Sequence, residues 1–347
     1  MPTYPETVAK LEEIVRGRVR DQTMLCLIID SPWLPGYVGV DTLDFLFDPS
    51  TWLAAYERAH RDLPGVAFVP DVWVELGMAA EPSGWGAALQ WHHDSPPSIR
   101  GFPGGMEGFL EAPPPDPETD GLMPVILRQY ERMKPTLASK GMGPRFAAAR
   151  GPLAVGAHLL GVTELLMATQ LQAERCLEVA ERTTELIIRW LRCQLDRMDD
   201  PLGVLVLDDV VGMMGPADAA RFGIPFLKRI FDAFPGLIHF FHNDTPNAAV
   251  FEGLRAIGMD VFNFSHEIDA VKTRSLVGPD VVLMGNIPPL DVLVRGTEEE
   301  SRQATRQLLA KMKEAGPILV SPGGGVSPGT RIENLQAVLD EVRSWAG

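Results

Sequence analysis

The chain has 347 residues, 46% of them hydrophobic, with 46 acidic against 31 basic side chains and a formal net charge of −15. That length suits one large core or two modest ones, since α/β barrels run to about 250 residues or more as one domain. Such an acidic chain, with no Lys/Arg stripe to offset it, is repelled by phosphate backbones, which argues against nucleic-acid binding. Cys26, Cys176 and Cys193 lie far apart and form no C-x-x-C, so a disulfide framework is not expected. No basic region followed by an apolar segment opens the sequence, and no run approaches the roughly 18 apolar residues of a membrane span. The expectation is a cytoplasmic protein that engages no membrane.

Eight short apolar runs recur along the chain: 24–30, 65–71, 152–157, 203–209, 236–241, 259–264, 280–285 and 317–324. Each is followed by a polar or glycine-rich turn, and amphipathic stretches such as "TELLMATQLQAERCLEVAERTTELIIRWLRCQL" and "ESRQATRQLLAKMKEAG" lie between them. Continuous apolar strands alternating with helices predict a parallel sheet covered on both faces. Eight units predict a closed (β/α)8 barrel, with an open doubly wound sheet as the alternative. No G-x-G-x-x-G opens a helix after the first strand, so a dinucleotide fold is disfavoured. Residues 72–150 are too long for a single connection and are rich in Pro and Gly. With Trp85, Trp91, Phe102 and Phe109 among them, they read as a folded cap inserted into one barrel domain spanning 1–347.

Polar residues gather at predicted strand ends. His60 falls in a helical pattern and needs no function, whereas His92, His93, His158, His239, His242 and His266 lie near strand ends or in the cap. Asp30, Asp71, Asp208, Asp209 and Asp244 end strands or follow them. In a barrel that rim carries the active site. The plain alternative is that these side chains cap the following helices. The stretch "IHFFHNDTPN", 238–247, is the most suggestive: Thr245 reads as an N-cap with Pro246 at the first helical position. His239, with His242 three residues on and Asp244 beyond, raises the prospect of a metal site.

The segments "VPDVWVELGMAAEPSGW", "LDDVVGMMGPADAARFGIPFLKRIF", "HFFHNDTPN", "GMDVFNFSHEID", "VVLMGNIPPLDVLVRGTEEE" and "SPGGGVSPGTRIENLQAVLDEV" together resemble the uroporphyrinogen decarboxylase superfamily. The resemblance runs from about residue 65 to the end, with the segments in order. It implies a (β/α)8 barrel, and the superfamily holds both heme-pathway decarboxylases and zinc-dependent methyltransferases that work with corrinoid proteins. The decarboxylases carry an arginine-bearing motif after the first strand. Here that stretch is "DSPWLPGY", without arginine, although Asp71 matches their central aspartate. Guanidinium groups are what a many-carboxylate substrate requires, so porphyrinogen decarboxylation is disfavoured.

The thiol methyltransferases of the superfamily hold zinc through an H-x-C pair on one strand and a cysteine in the last G-C-G turn. On this resemblance His239 matches the histidine, Phe241 replaces the first cysteine and Gly324 the second. A metal, zinc or another divalent ion, would then take nitrogen and oxygen ligands: His239 with His242, Asp244, His266 and Glu267. Such a site suits polarisation of an ether or hydroxyl oxygen. The expected activity is O-demethylation of a small methoxylated compound, such as an aromatic methyl ether, with the methyl group passed to a corrinoid protein. Asp71, Asp209, His92 and His93 are the candidate catalytic residues, and Trp33, Trp73, Trp85, Trp91 and Phe241 the candidate aromatic lining. One alternative is a decarboxylase using Asp71 on a tetrapyrrole or smaller carboxylated substrate. Another is a barrel that binds a corrinoid or tetrapyrrole without turnover.

Overall fold

Seven of the eight apolar runs become parallel strands. The computed structural model describes residues 3–17 and 22–345. The strands are β1 Met24–Leu27, β2 Ala67–Phe68, β3 Phe146–Arg150, β4 Gly203–Leu207, β5 Ile238–Asn243, β6 Val261–Phe264, β7 Val282–Ile287 and β8 Ile318–Pro322. They are hydrogen-bonded in the order β2-β1-β8-β7-β6-β5-β4-β3 and curl into a (β/α)8-type barrel. β1, β4, β6 and β8 are buried along their whole length, as strands covered on both faces must be.

The remaining run is a correction. Residues 152–157 begin the helix Pro152–Leu160, and the third strand lies just before it. Pro152 stands at the first helical position after an extended Gly151, which favours a helix start. Nearly every residue of this helix is buried, so its apolar run has no polar face to reveal the helical period. The true strand, "FAAAR", lacks β-branched residues and gives little strand signal. The inserted region consequently ends before residue 146 rather than at 150.

No ladder joins β2 to β3 among the described residues. The chain between them carries the helices Ala80–Gly84, Gly105–Glu111 and Met123–Ser139 and the hairpin pairing Leu89–Gln90 with Ser98–Ile99. Side chains satisfy the free edge of β3 instead. Gln194, on the helix Ala173–Leu195, accepts from Ala148 N at 3.2 Å and donates to Ala148 O at 2.9 Å. Glu81 Oε1 accepts from Arg150 N at 2.9 Å. No single helix among the described residues is long and apolar enough to cross a membrane.

Asp208, which follows β4, ties two units together. Its Oδ2 accepts from Leu153 N at 3.0 Å, at the start of the helix after β3. A Cβ on Gly151 would overlap this buried carboxylate, so glycine is required there by close approach. Gly151→Ala should therefore lower unfolding stability by about 1–3 kcal/mol through overpacking. A urea titration checks this, and an unchanged midpoint would show that the interface yields freely.

Candidate metal centre and ligand cleft

Strand alternation settles which side chains of β5 face the barrel interior. Phe240 packs edge-on against Phe146 of β3, and His242 lines a cleft of about 560 Å³ at the C-terminal ends of the strands. His239 and Phe241 point the other way. Phe241 stacks on Phe262, itself packed by Phe251, and His239 stacks on Phe231 of the helix Ile224–Asp232. The His239 ring nitrogens lie 2.9 Å from Gly258 O and 3.0 Å from Phe234 O. The structure therefore does not bring His239 to the rim, and Phe241 does not share a site with Gly324. The matching of His239 and Phe241 to a metal-binding H-x-C therefore falls on the outward face of the strand.

What the rim does bring together is Asp209, His242 and Asp244, whose potential ligand atoms all lie within 4.8 Å of one another. Asp209 follows β4, while His242 and Asp244 come from β5 and the turn after it. His242 is buried, and its Nδ1 donates to Asn263 Oδ1 at 2.6 Å. The Asn263 amide is itself oriented, since its Nδ2 donates to Met284 O at 3.0 Å. Nδ1 thus carries a proton, and Nε2, 3.6 Å from Asp209 Oδ1, is the nitrogen left to face a cation. Asp209 Oδ1 also accepts from Asp244 N at 3.0 Å, which fixes the two acidic residues side by side.

Partial desolvation raises the Asp244 pKa, and the neighbouring Asp209 carboxylate adds to the rise, while His242 and His266 oppose it. A bound cation would relieve that repulsion. Gly324 leaves the space Asp244 needs: a Cβ there would lie 2.8 Å from Asp244 Oδ2. Glu267 is exposed and stands apart from the cluster.

The candidate catalytic residues divide. Asp209 is at the cleft. Asp71 is buried elsewhere, accepting from His60 Nε2 at 3.0 Å and from Val72 N at 2.8 Å, in a small separate cavity under the N-terminal helix. His92 Nε2 pairs with Ser98 Oγ at 3.0 Å and His93 Nδ1 with Asp41 Oδ2 at 2.7 Å. Both belong to the surface of the insertion, which contributes Pro96, Pro97, Ser98 and Ile99 to the cleft instead. None of Trp33, Trp73, Trp85, Trp91 or Phe241 lines it. Its walls are aliphatic and proline-rich. Nor does Thr245 cap a helix: it bonds Asn243 Oδ1, and Asn247 caps the short turn Ala248–Val250.

Four cleft residues escaped the sequence reading as site candidates or were noted only as rim: Asp30, Glu75, Arg150 and His158. Burial pushes the Asp30 carboxyl up to about 8, with Glu75 adding to the rise and Arg150 opposing it. Both Glu75 oxygens are occupied by backbone donors, Ser31 N at 2.8 Å and Gly77 N. His158 is held down at about 4 by burial and by Arg150, so it is neutral at neutral pH, with Nε2 2.8 Å from Met78 Sδ.

An (β/α)8 barrel whose strand ends carry a His–Asp–Asp cluster in a deep cleft is the frame of a catalytic barrel. A model of the uroporphyrinogen decarboxylase (URO-D) family matches residues 41–345, and the chain belongs to that family. It is 25% identical over 169 residues to a uroporphyrinogen decarboxylase of Gloeobacter violaceus, covering 46% of each chain. A uroporphyrinogen decarboxylase of Thermus thermophilus is 29% identical over 167 residues, 48% of each. These matches span about half the length of the decarboxylases concerned. A methylated-thiol–coenzyme M methyltransferase of Methanosarcina mazei is 21% identical over 267 residues, 76% of this chain and 70% of its own. A solved methyltransferase from Methanosarcina mazei superimposes with a TM-score of 0.81 at 17% identity, over 97% of this chain and 98% of the other. At that identity the likeness speaks to the fold.

Two tests follow from the placement of side chains. His239→Ala removes a ring spent on two carbonyls and should cost about 1–3 kcal/mol of stability, with metal content unchanged. Loss of metal from a folded variant would return His239 to the ligand set. Asp208 is a pH test. Its carboxyl is pushed from 3.8 to about 7 by burial, so the fold favours the protonated form. The stability it contributes is complete below about pH 3.8 and is lost as pH rises through 7. Asp208→Asn should flatten the fall in stability between about pH 4 and 7, read by denaturant midpoints. An identical pH slope in both proteins would count against the shift.

Proposed function

We propose that this chain is a metal-dependent methyltransferase that removes a methyl group from the oxygen of a small methoxylated compound and passes it to a corrinoid protein. The observation that carries this reading is the Asp209–His242–Asp244 cluster, with the His242 tautomer fixed by Asn263. One nitrogen and two carboxylates form a hard donor set that fits zinc or another divalent ion and no soft thiolate-dependent site. A divalent ion held there supplies Lewis-acid polarisation of an ether oxygen.

The chain's own residues bind and orient the donor. Ile28, Leu207, Ile99 and Val326 give the cleft apolar walls, and the prolines of the hairpin cover it on the side of the insertion. The residues 72–145 act in this reading as a cap that excludes water, while the exposed Asp244 marks the side open to the methyl acceptor. Cleavage of the methyl–oxygen bond gives the methyl carbon to the acceptor, and the leaving oxygen gains one proton from solvent at that open side. Support for a methyl-transfer chemistry comes from the Methanosarcina relative, and the hard donor set redirects it from thiols to oxygen. A decarboxylase built on Asp71 has less support, because that carboxylate is paired with His60 outside the cleft.

Metal analysis and zinc titration of the purified protein provide the first test. His242→Ala should abolish stoichiometric metal while the fold survives. Asn263→Ala should weaken metal affinity by roughly 10–100-fold, as loss of an orienting partner does. Full affinity in both variants would remove the cluster from consideration. A second test mixes methoxylated aromatics with reduced corrinoid protein and follows methylcobalamin by absorbance. Absence of product, with turnover of a carboxylated pyrrole, would hand the case to decarboxylation; tight corrinoid binding with neither activity would identify a binding protein.

A further inference from the structure

The end of the cleft opposite Asp244 is chemically unlike the metal cluster. Arg150 ends β3 and is the one cationic side chain among the residues lining the cleft, apart from the histidines. Its guanidinium makes no hydrogen bond or ion pair among the described residues, and rests 5.8 Å over the Trp73 ring. No acidic neighbour pairs with it directly among the described residues. Glu75 spends both oxygens on backbone N–H groups, and Glu81 is occupied by Arg150's own backbone N. Burial holds the Asp30 carboxyl, which also lines the cleft, up at about 8. An available fork of N–H donors is complementary to a carboxylate.

Register fixes how far this anion site stands from the metal cluster. Arg150 is the partner of Leu207 on β4, and Leu207 is the partner of His242 on β5. The three therefore stand side by side at one level of the barrel rim, with two inter-strand spacings, about 10 Å, between the outer pair. Leu207 supplies apolar surface between the two polar ends. We infer that Arg150 is the specificity-determining residue of the cleft, anchoring the carboxylate of a methoxylated aromatic acid whose ether oxygen lies at the Asp209–His242–Asp244 end. This deepens the methyl-transfer reading and rests on it for the role of the far end, while the anion site stands on Arg150 alone.

The experiment uses the full chain, stripped of metal with a chelator, and measures binding by calorimetry. The probes are 4-methoxybenzoate and its neutral counterpart, 4-methoxybenzamide. The acid should bind at least tenfold more tightly than the amide, and Arg150→Gln should abolish that preference. Arg150→Lys should restore part of it, because it returns the charge without the fork. Arg61→Gln, which removes a charge exposed at the surface away from the cleft, should leave acid binding intact and serves as the control for lost charge. Equal affinity for acid and amide in the wild-type protein overturns the inference, as does an undiminished preference in Arg150→Gln or no binding of the acid at millimolar concentration. Binding through Arg150 without methyl transfer would leave the anchor standing and sink the methyltransferase reading. Methyl transfer from neutral methoxyarenes as fast as from the acid would do the reverse.

Discussion

The hydrogen bond from His242 Nδ1 to Asn263 Oδ1 governs the chemistry available to this barrel. It selects the tautomer, and with it the nitrogen that faces Asp209 and Asp244. The bond spans two adjacent parallel strands at paired positions, so it depends on the β5–β6 register. Asn263 is in turn held by a carbonyl of β7, which extends the dependence to a third strand. A slip of one residue by β5 against its neighbours would turn the imidazole toward the helices. The burial of the flanking aromatic side chains on the outer face, Phe241, Phe262 and Phe264, opposes such a slip.

The barrel architecture was legible because strands buried on both faces must be apolar along their length, and seven of them announced themselves that way. The third did not, since an alanine-rich strand and a fully buried helix exchange their usual signatures. At the site, the sequence singled out Asp209 as a catalytic candidate and His242 and Asp244 as ligand candidates, three residues that the structure places at one rim, but it chose His239 as the leading ligand. Alternation alone leaves two choices of face, and only the partners of Phe240 and Phe241 decide between them. Asn263 carried a readable signal, a polar residue between two phenylalanines in a buried strand. Arg150 was obscured because the strand it ends was expected at 152–157, just after it. Asp71 illustrates the opposite case: a strand-end aspartate whose buried partner, His60, is remote in function from the cleft.

Membership of the uroporphyrinogen decarboxylase family sets a scaffold on which the two ends of the cleft carry different charge. At one end carboxylates are crowded beside an oriented imidazole, and at the other a guanidinium stands near carboxyl groups that do not pair with it. The separation is a product of strand geometry, because β3, β4 and β5 present Arg150, Leu207 and His242 in one row. Opposite electrostatic demands are thus met within a single cavity without either cancelling the other.

The unladdered seam between β2 and β3 has a consequence for how far this protein tolerates trimming. An unpaired strand edge is a template for pairing with another chain, and barrels ordinarily abolish edges by closing. Here Glu81 and Gln194 occupy the N–H and carbonyl groups of Ala148 and Arg150 that a neighbouring strand would take. Glu81 belongs to the insertion itself, so the segment that shapes the cleft is also the guard on the barrel's open edge. Removing it would expose a backbone template competent for intermolecular pairing, and self-association would follow before any smaller barrel could form.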